Sequence, residues 1–524
     1  MTTDTATKPG TAPSGWSRLR AADPLTAVVC AVALGVYLPH GFDGYLSRDL
    51  GLYSYGGQLV AEGVPPYVGT LNRAGPLGQL IPGFGAYLAR AVGADDLLGM
   101  RVLFLLLTVA CIGVAYLLGR DVFRSRGAGL ACAAALLSFH GVITYATYGP
   151  REKTSLLLFV LCTLLAITHQ KWATTGFFIA LATLTWQPVL LPALGGVLVA
   201  VALGLRTGRA TALLRVTVGG LVPLLVTLGM YAAAGALDVF WDNFLLINLR
   251  YTEQVSLSDE PAEAWDFLVV GYGWSIWVFL VGSVAVFGEC VAGLVRRSSR
   301  RDPGTATLAA AAAVLVLGGL WSLQAFNGWP DNFFALPSAA LGIGGLVAAL
   351  RHWVSPAAVR VAVVAWVVAA TALSLSFSIG ERDDRLDEQR ADVAAAMRLL
   401  PPDTRILSVS APQPLVLAHE RNLTRLQIFS NGLTPYLDDT WRGGREGYAR
   451  WIARRAPNVI ATGGYHPPEW LLPTLDGAYQ CVGKSAGWFW HVRTDLGAHT
   501  LRQLSRLLDA SACTSLVTTG DLAR

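Results

Sequence analysis

The chain has 524 residues and a formal net charge of +5 at pH 7. Charged residues make up 14% of it and hydrophobic residues 53%, whereas about 25% of the residues in a typical soluble protein are charged. This composition excludes an ordinary soluble protein and is typical of a membrane protein. The small positive charge does not indicate nucleic-acid binding, because arginines in membrane proteins mark topology first.

The polar N-terminal tail, residues 1–24, precedes a first apolar run. We expect this run to be an uncleaved signal anchor, because no cleavable signal sequence is recognisable. Lysine is nearly absent, and the arginine-, alanine- and glycine-rich composition indicates a GC-rich bacterial genome. The lysines of the chain are Lys8, Lys153, Lys171 and Lys484.

Apolar runs of about the length of a transmembrane helix, near 20 residues, recur along the chain. They predict a polytopic α-helical membrane protein with about eleven transmembrane helices. The pair 172–186 and 189–205 is the shortest, with Pro188 between its members. The runs cover residues 25–41, 100–118, 128–146, 154–169, 172–186, 189–205, 216–234, 266–291, 306–324, 333–350 and 357–378.

Basic residues alternate with these runs as the positive-inside rule predicts for a cytoplasmic N-terminus. An odd number of spans then places the C-terminus outside. We therefore predict a multi-pass protein of the plasma (inner) membrane with an extracytoplasmic C-terminal domain. The loops predicted to face the cytoplasm carry Arg120, Arg124, Arg126, Lys171, Arg206, Arg209, Arg215, Arg296, Arg297, Arg300, Arg301, Arg351 and Arg360.

Two regions are predicted to lie outside without spanning. The first outside loop, residues 42–99, contains broken apolar stretches at 50–62 and 77–92, which indicate helices in the plane of the interface. The part after the transmembrane domain (25–379), residues 380–524, is soluble-like and predicts an exported α/β domain. Its pattern indicates helices at 381–399 and 413–420, and strands at 405–410, 458–462, 479–482 and 487–493, with the last two forming a hairpin.

Asp49 is the main candidate for chemistry in the first outside loop. It lies beside the predicted membrane surface, follows Arg48, and is flanked by tyrosines that include Tyr53. A carboxylate in this place can serve as a general base facing the interface. The alternative is an ordinary solvated loop carboxylate.

The second outside loop is short and reads Arg151-Glu152-Lys153 at the predicted mouth of the helix bundle. A carboxylate between two cations should stay ionised. Arginine offers a bidentate fork to a phosphate and lysine a point charge. The alternative is that these residues are simple anchors at the interface.

Further polar and aromatic residues gather at the predicted outer ends of other helices. Singly, each is as well explained as part of an aromatic belt, but together they indicate a cavity at that surface. Two late cysteines, Cys481 and Cys513, form a plausible disulfide if their domain is exported, and free thiols are the alternative. The gathered residues include Gln187, Asn243, Arg250, Tyr251, Asn327, Trp329 and Asp331.

These features resemble the GT-C glycosyltransferases, in the branch of protein O-mannosyltransferases, aminoarabinose transferases and galacturonosyltransferases. The resemblance rests on an acid in the first outside loop, the Gly63-Val-Pro-Pro-Tyr67 segment and the Gly75-Pro-Leu77 turn, and it covers residues 25–350. It implies that Asp49 is the first-loop catalytic acid and Glu152 the acid of the second outside loop. Arg48, directly before Asp49, departs from the family pattern, and Arg73 is displaced by one position.

The resemblance also implies an activity. Such enzymes move a sugar from a polyprenyl-phosphate carrier to a hydroxyl of an envelope glycan, lipid or protein, with inversion, and nothing in the sequence requires a metal or other cofactor. Residues expected to bind the donor phosphate or lipid are Arg73, Arg151, Lys153, Gln187 and Arg250. Residues expected at the acceptor or along the cavity are Tyr53, Tyr67, Asn327, Trp329 and Asp331.

Two other functions remain open from the sequence. A transporter or flippase should carry ionisable residues deep within its spans, whereas these spans are nearly free of charge and Glu289 lies close to an inner end. A non-catalytic envelope assembly protein would instead work through its exported domain. Neither alternative explains the polar residues at one surface as well as an interfacial enzyme does.

Overall fold

The protein is described from a computed structural model. It describes residues 23–203, 208–252, 261–296, 302–430, 432–464 and 466–513, apart from the side chain of Glu263. Most of the predicted N-terminal tail lies outside these residues, as do the predicted inner-loop residues Arg206, Arg297, Arg300 and Arg301.

The part of the chain before Gly380 is helical. Its α-helices are joined by 3-10 segments at Leu38–His40, Gln187–Val189, Gly273–Ser275 and Trp329–Phe334 and by a π-helical segment at Asp242–Leu246. The α-helices are Pro24–Tyr37, Arg48–Ala61, Leu77–Ala91, Asp96–Phe123, Arg126–Leu137, His140–Tyr148, Glu152–Thr168, Trp172–Thr185, Leu190–Leu203, Arg209–Ala233, Leu237–Trp241, Ile247–Arg250, Pro261–Tyr272, Ile276–Val295, Pro303–Ser322, Leu336–Leu350 and Pro356–Gly380.

Each predicted apolar run overlaps at least one of these helices, and the runs at 128–146 and 266–291 each overlap two. Five segments of the described chain are long and apolar enough to cross a membrane: Asp96–Phe123, Arg209–Ala233, Ala264–Val295, Pro303–Ser322 and Pro356–Leu399. Shorter apolar helices occupy Pro24–His40, Trp172–Thr185, Gln187–Leu203 and Leu336–Leu350. The architecture is that of a polytopic helical membrane protein.

The run at 128–146 is interrupted by a bend that the sequence pattern did not predict. Helices Arg126–Leu137 and His140–Tyr148 meet at 67°. Phe139 takes an extended backbone conformation between them, and the His140 ring stacks on Phe377 at 3.8 Å. Tertiary stacking therefore accompanies a break that lacks a proline or glycine.

The helices pack through small residues and expose large apolar ones. Where helices Trp172–Thr185 and Arg209–Ala233 meet, a Cβ on Gly176 or Gly219 would lie 1.9 Å from a carbonyl oxygen of the other helix. Large side chains such as Val226 and Val284 remain 69% and 73% exposed. Close small-residue contacts and an apolar outer surface are what a lipid environment favours.

The first loop, residues 42–99, forms two helices as the sequence predicts, at Arg48–Ala61 and Leu77–Ala91. The first begins at Ser47, whose hydroxyl accepts a hydrogen bond from Leu50 N, an N-cap interaction. The two helices pack through glycines, since a Cβ on Gly83 would lie 2.4 Å from Val60. Helix Arg48–Ala61 is thereby held against helix Leu77–Ala91.

Arg101 ties the first loop to the second loop, residues 145–154. Its guanidinium is fully buried and donates to the carbonyl oxygens of Gly149 at 3.2 Å and Gly44 at 2.9 Å, and to that of Phe42. A buried guanidinium needs such acceptors to offset its desolvation. The starts of helices Arg48–Ala61 and Glu152–Thr168 are therefore held near each other.

The C-terminal part forms the predicted α/β domain. Its sheet has the order β1-β2-β4-β3, with β1 and β2 parallel and the other neighbours antiparallel. The strands are β1 Ile406–Val409, β2 Val459–Gly463, β3 Tyr479–Ser485 and β4 Trp488–Arg493, and the α-helices are Arg385–Leu399, Gln413–Ala418, Leu433–Thr440, Gly444–Arg455, Leu472–Ala478 and Ala498–Leu507.

This domain shares a hydrophobic core with the first loop. Leu50 and Leu59 of the first loop are buried in one cluster with Leu415 and Trp488 of the C-terminal domain. Gln389 adds hydrogen bonds from its side chain to both the N–H and the carbonyl of Leu46. Cys481 and Cys513 form a disulfide within the domain.

Candidate functional site

A cavity of about 440 Å³ lies where the two loops meet the C-terminal domain. Its lining combines charged and polar residues with apolar ones, among them Leu190, Leu191 and Trp321. The polar and remaining lining residues are Arg48, Asp49, Leu52, Tyr53, Leu71, Asn72, Arg73, Ala74, Arg151, Glu152, Lys153, Trp186, Gln187, Pro188, Asn248, Thr252, Ala325, Asn327, Asp331, Ile428, Ser430 and Leu433.

Asp49 lies in the first turn of helix Arg48–Ala61, where the helix dipole favours a negative charge. Its Oδ2 accepts a hydrogen bond from Arg151 Nη1 at 2.6 Å, and its Oδ1 accepts one from Arg48 Nε at 3.1 Å. Burial opposes ionisation, but the two guanidinium groups outweigh it and hold the pKa of Asp49 well below its ordinary value. Asp49 is therefore an ionised carboxylate with both oxygens engaged.

Arg151 joins the two predicted acids. Besides Asp49, its guanidinium pairs through Nε with Glu152 Oε2 at 3.2 Å. It lies over the rings of Tyr53 and Tyr145, at 5.5 and 6.0 Å from their centroids. Burial and the adjacent Glu152 carboxylate raise the pKa of Tyr53 well above its ordinary value, so this phenol stays neutral beside the arginine.

Lys153 is enclosed by partners. Its Nζ lies 3.4 Å from Glu152 Oε1, 2.9 Å from Asp331 Oδ1 and 3.5 Å from the centroid of the Trp186 ring. Asp331 also accepts a hydrogen bond from Asn327 N at 3.1 Å. The ammonium thus links the second loop to the segment before helix Leu336–Leu350.

Arg73 also lines the cavity. Its guanidinium donates to Asn248 Oδ1 at 3.5 Å and to the hydroxyl of Thr252. Its carbonyl accepts from Gln187 Nε2 at 3.1 Å and from Asn248 Nδ2 at 3.0 Å. Gly75 keeps this turn against the end of a neighbouring helix, because a Cβ there would lie 2.0 Å from Leu184 O.

The cavity contains residues that sequence reasoning did not select. The C-terminal domain contributes Ile428, Ser430 and Leu433, and Ser430 Oγ accepts a hydrogen bond from Arg48 Nη1 at 3.3 Å. Asn248 also lines the cavity and was not predicted. Its position between the predicted Asn243 and Arg250 was a signal that could have identified it. No local pattern in the sequence indicates the contact with Ser430.

Three of the residues expected to take part in catalysis or binding lie outside the lining of this cavity, as do Asn243 and Tyr251 from the predicted outer helix ends. Tyr67 is buried behind its wall and donates to Ala74 O at 2.7 Å. Trp329 stacks on Tyr145 at 5.0 Å, behind Arg151. Arg250, in helix Ile247–Arg250, is exposed and is not among the residues that line the cavity. The other nine selected residues are brought together: Asp49, Tyr53, Arg73, Arg151, Glu152, Lys153, Gln187, Asn327 and Asp331.

The arrangement suits an anion joined to an apolar chain. Four basic and three acidic side chains line the cavity, so its net charge is positive when all are ionised. The starts of helices Arg48–Ala61 and Glu152–Thr168 also face it, and helix N-termini attract anions. In the described part of the chain, no three His, Cys, Asp or Glu side chains are grouped as metal ligands.

No protein-family model and no curated protein matches the chain by sequence. By structure, it resembles ArnT from Cupriavidus metallidurans in the apo state, with a TM-score of 0.62 and 13% identity over 92% of this chain and 99% of that chain. The same protein bound to undecaprenyl phosphate gives a TM-score of 0.60 and 14% identity over 93% and 99% of the two chains.

Two other solved structures share the architecture. The oligosaccharyltransferase of Archaeoglobus fulgidus in the apo form matches with a TM-score of 0.53 and 11% identity, over 90% of this chain and 74% of that chain. The arabinofuranosyltransferase AftD from Mycobacteria matches with a TM-score of 0.51 and 14% identity, over 90% and 40%. These proteins are GT-C glycosyltransferases. The chain therefore has the GT-C membrane fold.

Proposed function

We propose that this protein is an integral membrane glycosyltransferase that takes a sugar from a polyprenyl-phosphate carrier and transfers it to an acceptor hydroxyl. The observation that carries the proposal is the cavity itself, in which Asp49, held between Arg48 and Arg151, shares one space with apolar residues such as Leu190. ArnT, which has a similar structure, has been solved with bound undecaprenyl phosphate. That complex supports a lipid phosphate as the donor carrier.

The reaction moves one glycosyl group with inversion. The acceptor oxygen attacks the anomeric carbon from the face opposite the phosphate, and a new C–O bond forms as the bond from that carbon to the phosphate oxygen breaks. The leaving phosphate keeps the bonding electron pair. The acceptor hydroxyl loses its proton to Asp49, which acts as general base within hydrogen-bond reach of that hydroxyl.

Cationic side chains stabilise the charge that returns to the departing phosphate. Arg48, Arg151 and Arg73 line the cavity near Asp49 and present guanidinium groups, which suit phosphate oxygens geometrically. Glu152 and Lys153 are more deeply buried. Their part in this scheme is to hold Arg151 and the second loop in place.

The apolar lining of the cavity accommodates the first isoprene units of the carrier. Leu190, Leu191 and Trp321 lie there, at the ends of helices with apolar outer surfaces. With the N-terminus in the cytoplasm, the cavity and the C-terminal domain face the outer side of the plasma membrane. An acceptor of the cell envelope would reach Asp49 from that side.

The activity can be tested with purified protein in lipid nanodiscs. Undecaprenyl-phosphate-linked sugars with labelled glycosyl groups are offered with a panel of envelope glycans, lipids and peptides. The expected result is acceptor-dependent release of undecaprenyl phosphate, with the anomeric configuration of the product opposite to that of the donor when read by NMR. Retained configuration would exclude the inverting mechanism, and no release with any donor would argue against the proposed reaction.

A further inference from the structure

The carboxylate assigned as the base is engaged by two arginines. Asp49 gives one oxygen to Arg151 at 2.6 Å and the other to Arg48 at 3.1 Å. A carboxylate held by two guanidinium groups is a weak proton acceptor, because each positive charge stabilises its ionised form. For Asp49 to accept a proton during the reaction, these ion pairs must loosen.

The same two arginines keep exposed surface with which to receive a ligand, as does the partly buried Arg73. The Arg48 side chain is 42% exposed and that of Arg151 is 14% exposed. By contrast, the Lys153 side chain is 1% exposed and is surrounded by Glu152, Asp331 and Trp186. A phosphate that enters the cavity therefore meets the partners of Asp49 before it meets the lysine.

The two arginines differ in how firmly they are held. Arg151 keeps a second ion pair with Glu152 and lies between two tyrosine rings, so it can exchange Asp49 for another anion without leaving its place. Arg48 has a neutral partner beyond Asp49, the hydroxyl of Ser430 at 3.3 Å. Arg48 can therefore swing from the carboxylate to a phosphate at low cost.

We propose that the donor phosphate displaces the Asp49 carboxylate from Arg48 and Arg151, so that the base is released only when the donor is bound. This inference rests on the proposed glycosyl transfer and explains Arg48, which the family resemblance leaves unexplained. Arg48 is in this scheme a residue that binds phosphate in one state and restrains the base in the other. An empty enzyme keeps its base inactive.

Competition of this kind is reciprocal. If phosphate weakens the pairing of Asp49 with the arginines, then Asp49 weakens the binding of phosphate by the same factor. Removing the negative charge of Asp49 should therefore tighten the binding of a lipid phosphate. A residue with a purely structural role would not have this effect.

The test measures binding of undecaprenyl phosphate, and of undecaprenol as the neutral control, to the full-length protein in nanodiscs. Asp49→Asn is expected to bind undecaprenyl phosphate about tenfold more tightly than the wild type, within the usual range of coupling between two ligands, with undecaprenol unchanged. Asp242→Asn removes the same charge from a carboxylate that pairs with Arg425 and does not line the cavity. It should leave both affinities unchanged.

Arg48→Gln provides a second, independent arm. It should weaken binding of undecaprenyl phosphate about tenfold, since a charge-assisted hydrogen bond is lost, and it should remove most of the gain when combined with Asp49→Asn. Unchanged or weaker phosphate binding by a folded Asp49→Asn variant would overturn the displacement while leaving the proposed transferase intact. A wild type that does not prefer undecaprenyl phosphate over undecaprenol would instead count against the transferase itself.

Discussion

The two carboxylates that share Arg151 occupy different environments. The Asp49 side chain is 39% exposed and faces the cavity, whereas the Glu152 side chain is 4% exposed. Both lie in the first turn of a helix, so the helix dipole favours the charge of each. What separates them is access to a ligand.

This difference assigns the two acids different work within the proposed mechanism. A general base must come within hydrogen-bond reach of the substrate, and Asp49 can do so once its arginines turn to a phosphate. Glu152 lies between Arg151 and Lys153, where it compensates one buried and one partly buried cation. Two acids that the sequence predicts at one surface can therefore comprise one reactive group and one supporting group.

The strongest test of this comparison is Asp49→Asn in the transfer assay. General-base catalysis contributes about 10²- to 10⁴-fold, so the rate of transfer should fall by about that factor while the protein stays folded. The measurement is product formation per mole of protein, with the midpoint of thermal unfolding as the check on folding. Transfer at the wild-type rate would remove Asp49 from the mechanism.

Glu152→Gln tests whether Glu152 has the supporting role. Removing one member of a buried ion pair costs up to about 3–5 kcal/mol, and the cost should be smaller here because Lys153 keeps Asp331 and Arg151 keeps Asp49. We expect a clearly lower midpoint of thermal unfolding and transfer by the folded fraction that is lowered far less than in Asp49→Asn. If Glu152→Gln abolishes transfer at unchanged stability, Glu152 is a reacting group and the division of roles is wrong.

The dependence of the transfer rate on pH tests whether a bound phosphate displaces Asp49 from its two arginines. In the empty enzyme Arg151 and Arg48 lower the pKa of Asp49 well below its ordinary value, and displacement of both by a phosphate should raise it. Since kcat/KM reports the free enzyme and kcat the bound complex, the acidic fall in kcat should occur at higher pH than that in kcat/KM. The charged and titratable neighbours of Asp49 are Arg48, Tyr53, Tyr145, Arg151 and Glu152.

The relevant measurement is a pair of pH–rate profiles on the wild type. Coincident acidic limbs would mean that donor binding leaves the ion pairs of Asp49 in place. A kcat limb below that of kcat/KM would give the opposite sign to the one expected from displacement.

Much of this architecture was accessible from sequence because it depends on local pattern. Apolar runs, basic loops and alternating hydrophobic residues correspond to the helices and to the strands β1–β4. Asp49 and Glu152 could be selected because each stands in a short polar segment between apolar runs. Local signals of this kind need no knowledge of tertiary structure.

The remainder depends on contacts between distant parts of the chain. Ser430 meets Arg48 across 382 residues, and the first loop shares a core with the C-terminal domain, which the sequence presents as a separate unit. Equally, nothing local distinguishes the buried Lys153 from the partly exposed Arg151. Burial and partner choice for these cations are decided by packing rather than by pattern.

Ser430→Ala should give the smallest effect and tests the contribution of the C-terminal domain to the comparison. The hydrogen bond from the charged Arg48 to Ser430 is partly buried and long, at 3.3 Å, so it should contribute no more than about 1.5 kcal/mol, the lower end of the range for hydrogen bonds to charged groups. Because its loss frees Arg48 from a tether outside the ion pair with Asp49, the affinity for undecaprenyl phosphate should change by less than about tenfold and the fold should be retained.

The matched control is Ser511→Ala, which removes an exposed serine hydroxyl of the same domain that bonds to Asp509 and lies outside the cavity lining. It should leave affinity and transfer unchanged. A change in Ser430→Ala as large as that of Arg48→Gln would show that the serine fixes the position of the arginine, and that the C-terminal domain takes part in holding Asp49 inactive. Identical affinities in Ser430→Ala and the control would confine the restraint of Asp49 to the two arginines.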